Sequence, residues 1–308
     1  MSDECLEMSD VSAATTRNWA KLHTNSDGRL TGRANKRRSK KNIIPLEYIT
    51  NSKNIPILTE IVSYIRTAQI SVEAALYSVG VALLRAAGIA DCEHVRVSLS
   101  KYQTATDEFR VSYDYPVDER DVLGCLYQCL MTEGRKNIIG SYYTPPSIVC
   151  NMTEKLDFSQ DQTFLDPCCG SGAYLMSLKC DNPDLLFGTD ADRTAVMICR
   201  INLLLKYRSH RFVPHIYNED FLLTERFAES KFDYIVTNPP WGAMPRSQNG
   251  KKSACGETFS LFFIRSFGLL KENGFIRFLF PYSVLNVKTH KELRRFMLSQ
   301  GKLNSETV

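Results

Sequence analysis

The apolar run FDYIVT ends in Asn238, Pro239, Pro240, Trp241 and Gly242. Proline donates nothing to a sheet ladder, so a central strand has to stop here. Asn238 then offers a side-chain carbonyl. Pro239 has no N–H, yet its main-chain carbonyl still accepts. Two acceptors held in one rigid turn suit a planar amino group, which donates two hydrogen bonds. Pro240 stiffens the turn, and Trp241 presents a flat face on which a heterocycle can stack. A plain turn with a buried tryptophan fits the same residues, and the tetrapeptide alone does not decide.

Three further clusters carry chemistry. In FLDPCCGSGAYL, residues 164–175, a strand ends at the acid Asp166 and a turn follows through Gly170, Ser171 and Gly172. The glycines permit backbone torsions closed to other residues and let a ligand approach the main chain. A helix starting near Ala173 would add free N–H donors. Asp166 has the wrong sign for a pyrophosphate and the right one for a cationic amino or sulfonium group. The missing third glycine also argues against a nicotinamide site. A bare G-x-G is equally a tight turn. Asp190, in LLFGTDAD, falls about 20 residues on, where a carboxylate takes two ribose hydroxyls. Its bland role is a helix N-cap, for which Asp192 is better placed. In NEDF, residues 218–221, Asp220 could accept from an adenine amino group and Phe221 could pack on the ring. An acid at a strand end is common, so this last signal is weak.

These clusters need strands to carry them. TFLDPCC, LLFGTD, VPHIYNED, FDYIVTN and GFIRFLFP are short apolar runs, and AYLMSLKC, RTAVMICRINLLLKYR and TFSLFFIRSFGLLKENG between them have helical character. Strand–helix alternation with strands apolar on both faces predicts an α/β fold, a parallel sheet covered on each side and doubly wound. Ligands in such sheets bind at the carboxyl ends of the strands, where the unusual residues lie. Upstream, the stretch from Pro56 has helical spacing and should form one or two helices ending near Gly88. HVRVSLS and FRVSYDY alternate like short strands. Asp118 is expected to cap a helix over ERDVLGCLYQCLMTEG, which stops at Gly134. The expected layout is a disordered tail over 1–45, a mostly helical domain over 46–135 and an α/β core over 136–308.

Composition narrows the classes. The chain has 308 residues and ordinary apolar content, enough for a sizeable core. It has no apolar run of membrane-spanning length and no signal-peptide layout at its start, so a cytoplasmic protein without a membrane partner is expected. Its 10 cysteines follow no disulfide framework and read as small buried apolar residues of a reducing compartment. Cys125 and Cys129 sit four apart without the further ligands of a zinc site, so no metal is expected. Of the net charge of +4, seven positive charges fall in RLTGRANKRRSKK, residues 29–41, which leaves −3 elsewhere. Such a run fits nucleic acid or a solvated tail.

Taken in order, GSYYTPPSIV (140–149), DPCCGSG, GTDAD and TNPPWG resemble the S-adenosylmethionine-dependent N6-adenine DNA methyltransferases, above all the modification subunits of type I restriction systems and related type II enzymes. The resemblance covers about residues 118–300. It implies a Rossmann-like methyltransferase sheet preceded by a mostly helical region, with S-adenosylmethionine as cofactor and DNA as substrate. It implies a cofactor site from Tyr142, Tyr143, Thr144, Asp166, Gly170, Ser171, Gly172, Asp190, Asp220, Phe221 and Asn238. It places Asn238, Pro239 and Trp241 in catalysis, with Pro240 beside them at the target base. Thr144 also reads as a helix cap with Pro145 in the first turn. The family sheet has two more strands than the five candidates here, so a C-terminally truncated sheet is expected, with DNA specificity supplied either by a separate specificity or restriction subunit or by a region outside this chain. The asparagine–proline motif is shared with methyltransferases acting on protein glutamine or RNA. A truncated, cofactor-binding but catalytically silent protein is the alternative of another class.

Overall fold

The computed structural model describes residues 49, 51–68, 70–102, 121–131, 144–158, 161–241 and 258–300, all within the unit Ile44–Val308. Strands β1 (Phe164–Asp166), β2 (Leu186–Asp190), β3 (His215–Asn218), β4 (Phe232–Thr237) and β5 (Leu270–Phe278) form one sheet in the order β3-β2-β1-β4-β5. Every pairing is parallel. All five strands come from the runs singled out in the sequence. The order reverses at β1, whose neighbours are β2 and β4. A crevice therefore opens beyond the carboxyl ends of β1 and β4, at the topological switch point.

The sheet is apolar on both faces because successive side chains alternate between two layers. Phe164, Leu186, Ile216 and Val236 join one apolar cluster, while Leu165, Phe187, Tyr217 and Ile235 join another. The first face is covered by α7 (Arg193–Lys206), with α6 (Ala173–Ser177) and α5 (Pro146–Thr153) beside it. Phe262 of α8 (Thr258–Gly268) packs on the second face, and α8 in turn meets α9 (Ser283–Asn286) and α10 (Lys291–Gln300) through Phe259, Phe263, Val284 and Leu293.

The upstream helices belong to the first cluster. They are α1 (Ile55–Thr67), α2 (Val72–Ala86), α3 (Glu93–Leu99) and α4 (Val122–Leu130). The stretch from Pro56 thus makes two helices, and the second ends just before Gly88, whose φ is +74°. HVRVSLS is a correction: it is α3, not a strand. Val95 and Leu99, four apart, are buried, whereas Val97 between them is 55% exposed. A strand would place all three on one face; a helix separates them. FRVSYDY lies outside the described residues.

Two helix boundaries also move. α4 starts at Val122 with Asp121 as its cap, Gly124 N donating to Asp121 Oδ1 at 2.8 Å; Asp118 and Gly134 lie outside the described residues. α8 ends at Gly268, and LLKENG, expected to continue it, enters β5. Phe232 N donates to Leu269 O at 2.8 Å, so the edge pairing begins there. The ladder then slips: Phe232 pairs with Leu270 but Tyr234 with Phe275. The exposed Lys271–Asn273 loop out, with Asn273 at φ +64°.

Candidate active site

The turn after β1 is built from main-chain ties. Cys169 N donates to Thr189 O at 2.9 Å, and Thr189 Oγ1 donates to Pro167 O at 2.8 Å. Gly170 and Gly172 have φ of +52° and +92°, the left-handed region that disfavours a side chain. A Cβ on Gly172 would meet Cys199 Sγ at 2.7 Å, whereas one on Gly170 would meet nothing within 4 Å. Gly172 therefore serves close packing on α7, and Gly170 faces open space. Asp190, at the end of β2, holds the turn from the next strand: Gly170 N donates to Asp190 Oδ2 at 2.9 Å and Asp192 N to Oδ1 at 2.8 Å. Asp192 caps α7, accepting from Thr194 N and Ala195 N, as the sequence predicts.

Above the turn is a pocket, open at its mouth, that reaches from Thr144 to Phe262. Asp166, Asp190 and Asp220 line it, and no Lys, Arg or His does among the described residues. Burial pushes the Asp166 carboxyl up to about 7, against the hydrogen bonds from Thr237 and Cys168 N that favour its charge. Asp190 is raised to about 6 for the same reason. Thr237 Oγ1 donates to Asp166 Oδ1 at 2.7 Å, and Oδ2 is buried with no partner among the described residues. An orphan carboxylate oxygen in an acidic pocket is suited to a cation.

Asn238 leaves the end of β4 into this pocket. Its Nδ2 donates to Thr144 Oγ1 at 3.1 Å, and Oδ1 accepts from no described residue. The half-buried Cys168 lies alongside, Sγ 3.0 Å from Thr237 Oγ1 and 3.5 Å from Asn238 O. Strand order thus brings together residues far apart in the chain, because β1 and β4 are neighbours and both end at the crevice.

Residues 118–260 match the model of the N-6 DNA methylase family. This segment, just under half of the chain, is similar to that family. The chain is 30% identical over 187 residues to the type II methyltransferase M.VspI of Vibrio sp., covering 58% of this chain and 45% of that protein. It is 29% identical over 133 residues to the MjaIX methylase subunit of a type I restriction enzyme from Methanocaldococcus jannaschii, covering 40% and 23%. The chain thus spans less than half the length of these curated relatives. A solved chain from Listeria monocytogenes, described as a class I S-adenosylmethionine-dependent methyltransferase, aligns with a TM-score of 0.53 at 16% identity over 79% of this chain and 77% of that one, and supports the fold.

Within the matched segment, the pocket collects Thr144, Asp166, Gly170, Ser171, Asp190, Asp220, Phe221, Asn238 and Pro240 of the residues expected at the site. Gly172, Pro239 and Trp241 do not line it. Trp241 is 43% exposed and its Nε1 donates to Leu279 O at 3.2 Å. Tyr142 and Tyr143 lie outside the described residues. Several expectations change in detail. Thr144 does not cap α5, whose cap position is Pro145 with no side-chain bond; its hydroxyl instead accepts from Asn238. α6 has only five residues, too short for a developed dipole. Phe221 is 1% exposed, with its ring 5.4 Å from that of Phe262, so little of it is open to the pocket. Asp220 Oδ1 already accepts from Leu222 N at 2.9 Å.

Sequence reasoning missed Thr237, Tyr174 and Phe262. Thr237 was legible as a polar residue closing an apolar strand. Phe262 had no signal beyond helix amphipathicity. It also missed Asp121 and Asn202: Ser171 Oγ donates to Asp121 Oδ2 at 2.5 Å, and Asn202 Nδ2 donates to Asp121 Oδ1 at 2.8 Å and to Ser171 O at 3.0 Å. With its only O–H committed, Ser171 offers a ligand its backbone rather than a hydroxyl proton. An acidic pocket without a cation among the described residues fits S-adenosylmethionine, a cationic nucleoside.

Proposed function

We propose that the chain carries the methyl-transferring core of a site-specific DNA methyltransferase, moving a methyl group from S-adenosylmethionine to N6 of adenine within a restriction-modification system. One observation carries the reading: Thr144 takes Nδ2 and so orients the Asn238 amide, and Oδ1, beside the glycine turn and the acidic pocket, accepts from no described residue. The names of the relatives, methyltransferases of type I and type II restriction systems, support the substrate class.

The residues in named roles are these. Asp166 meets the ligand's positive charge, Asp190 the ribose, and Asp220 with Phe221 the adenine of the cofactor. S-adenosylmethionine, when bound, supplies an already activated sulfonium methyl. The difficulty lies with the nucleophile, because the lone pair of an adenine amino group is delocalised into the ring. Asn238 Oδ1 and the Pro239 carbonyl accept the two N6 hydrogens, favour a pyramidal nitrogen and oppose positive charge developing on it. Pro240 walls the site. A paired base cannot reach this depth, so it must be flipped out. Trp241 stays outside the pocket and is available to a base that enters through the mouth. Sequence specificity comes from a partner specificity subunit.

The test is a tritium-transfer assay offering DNA, RNA and protein acceptors together. Label on adenine N6 of DNA is expected. Label on glutamine or RNA alone, or none with cofactor bound, overturns the reading in favour of another acceptor or a silent cofactor-binding protein.

A further inference from the structure

Ser171 is held from outside its own turn at both ends. Its hydroxyl donates to Asp121 Oδ2 at 2.5 Å, and its carbonyl accepts from Asn202 Nδ2 at 3.0 Å. Asn202 is 4% exposed and Ser171 2%. Both bonds converge on Asp121, because Asn202 also donates to Asp121 Oδ1 at 2.8 Å. Asp121 belongs to neither the sheet nor the pocket; it is the cap of α4, 50 residues before Ser171. The segment it grips is flanked by Gly170 and Gly172, both in left-handed torsions, and glycines are the residues with most backbone freedom to lose. A second tie leaves the same helix. Tyr127 Oη donates to Asp192 Oδ2, and Asp192 N in turn donates to Asp190 Oδ1 at 2.8 Å. One helix therefore reaches both the glycine turn and the carboxylate of the next strand.

We propose that Asp121 is a positioning residue that presets the Gly170–Gly172 turn through Ser171, so that the helix upstream of the sheet governs how tightly the core holds its cofactor. The inference rests on the function proposed above. A turn ordered before the ligand arrives loses less freedom on binding, and affinity gains accordingly. Asp121 touches neither the cofactor nor the base, so its removal acts on binding and not on the transfer step.

The experiment measures binding of S-adenosylhomocysteine by calorimetry for the wild-type chain, D121A, S171A and the double variant, with thermal midpoints, and single-turnover methylation at saturating S-adenosylmethionine. A hydrogen bond to a charged group is worth enough to change affinity roughly tenfold or more. S171A should weaken Kd by about that factor and D121A, which also removes the bonds from Asn202 and Gly124 N, by at least as much; the double variant should be no worse than D121A, since the bond S171A removes is already gone there. The methylation rate of D121A at saturation should stay within about twofold of wild type, an expectation specific to positioning. A lowered midpoint with unchanged Kd, or losses that multiply in the double variant, overturns the proposal. If D121A does not fold, S171A removes the same bond from the other side, and an unchanged Kd there is equally fatal. A wild-type chain that binds no S-adenosylhomocysteine instead defeats the function proposed above.

Discussion

Among the described residues one side-chain bond orients Asn238: Thr144 takes Nδ2 and thereby directs Oδ1 the other way. Asn238→Ala should keep cofactor affinity and lower the transfer rate by about 10²–10³, the usual consequence of removing one prearranged acceptor or donor at a reacting centre. Asp190→Asn should do the reverse, weakening cofactor binding by roughly tenfold or more through lost charge-assisted bonds. Calorimetry and single-turnover rates separate the two, and a rate loss without a Kd change at Asp190 would contradict its ribose role. The pocket acids also set a pH dependence. Asp166 and Asp190 are raised by burial from 3.8 to about 7 and about 6. The folded chain therefore holds protons that the unfolded chain has released, and the stability these groups contribute falls as pH rises from about 4 to about 7. A bound cation favours the ionised carboxylate. The thermal shift on adding S-adenosylmethionine should be larger at pH 8 than at pH 6, and Asp166→Asn should shrink that difference. Equal shifts at both pH values would remove Asp166 from the cationic site.

At the scale of elements, glycines with similar torsions carry different burdens. Gly88 and Gly172 have φ of +74° and +92°, yet a Cβ on Gly88 meets nothing and one on Gly172 meets Cys199 Sγ at 2.7 Å. Gly88→Ala should cost about 1–2 kcal/mol, the left-handed penalty alone. Gly172→Ala should cost about 1–3 kcal/mol more, because the turn must move off α7, and cofactor affinity should fall with it. Urea unfolding of the two variants checks the order; equal losses would mean that the α7 contact yields freely. The elements themselves were largely legible. Five apolar runs became five parallel strands because burial on both faces demands apolar residues at every position. HVRVSLS was misread because Val95, Val97 and Leu99 satisfy strand alternation locally, and only packing on α7 separates Val97 from the other two. The ends of α4 and α8 shifted because a cap and an edge pairing, Asp121 with Gly124 and Phe232 with Leu269, overrode local helix propensity.

At the scale of the whole molecule, the helices upstream of the sheet are part of its core. A Cβ on Gly80 of α2 would stand 2.5 Å from Ile201 Cδ1 of α7, so these helices meet closely. Leu76, Val79, Leu123 and Leu126 lie in the same apolar cluster as Phe164 and Ile216 of the sheet. A chain cut to residues 121–308 would expose the α7 face covered by α2. Such a chain should aggregate or lose its cooperative transition, and should bind S-adenosylhomocysteine poorly even though Asp166, Asp190 and Asn238 are all present. Gel filtration and near-ultraviolet circular dichroism check this; a monomeric, cooperatively folding fragment with full affinity would show that the upstream helices are dispensable. Among the described residues no helix is long and apolar enough to cross a membrane.

By itself the sequence determined where the strands end and which residues stand at those ends. Apolar runs, their terminating Asp, Asn and Gly, and the Asn–Pro–Pro turn are local facts of composition and period, and local torsional preference suffices to read them. Only the tertiary structure decided that β1 and β4 are neighbours, that Thr144 turns the amide of Asn238, and that Asp121 grips a turn 50 residues away. Those are pairings across the chain, chosen by the one packing that buries both sheet faces and satisfies the polar groups trapped beside them, and no local period encodes which partners meet.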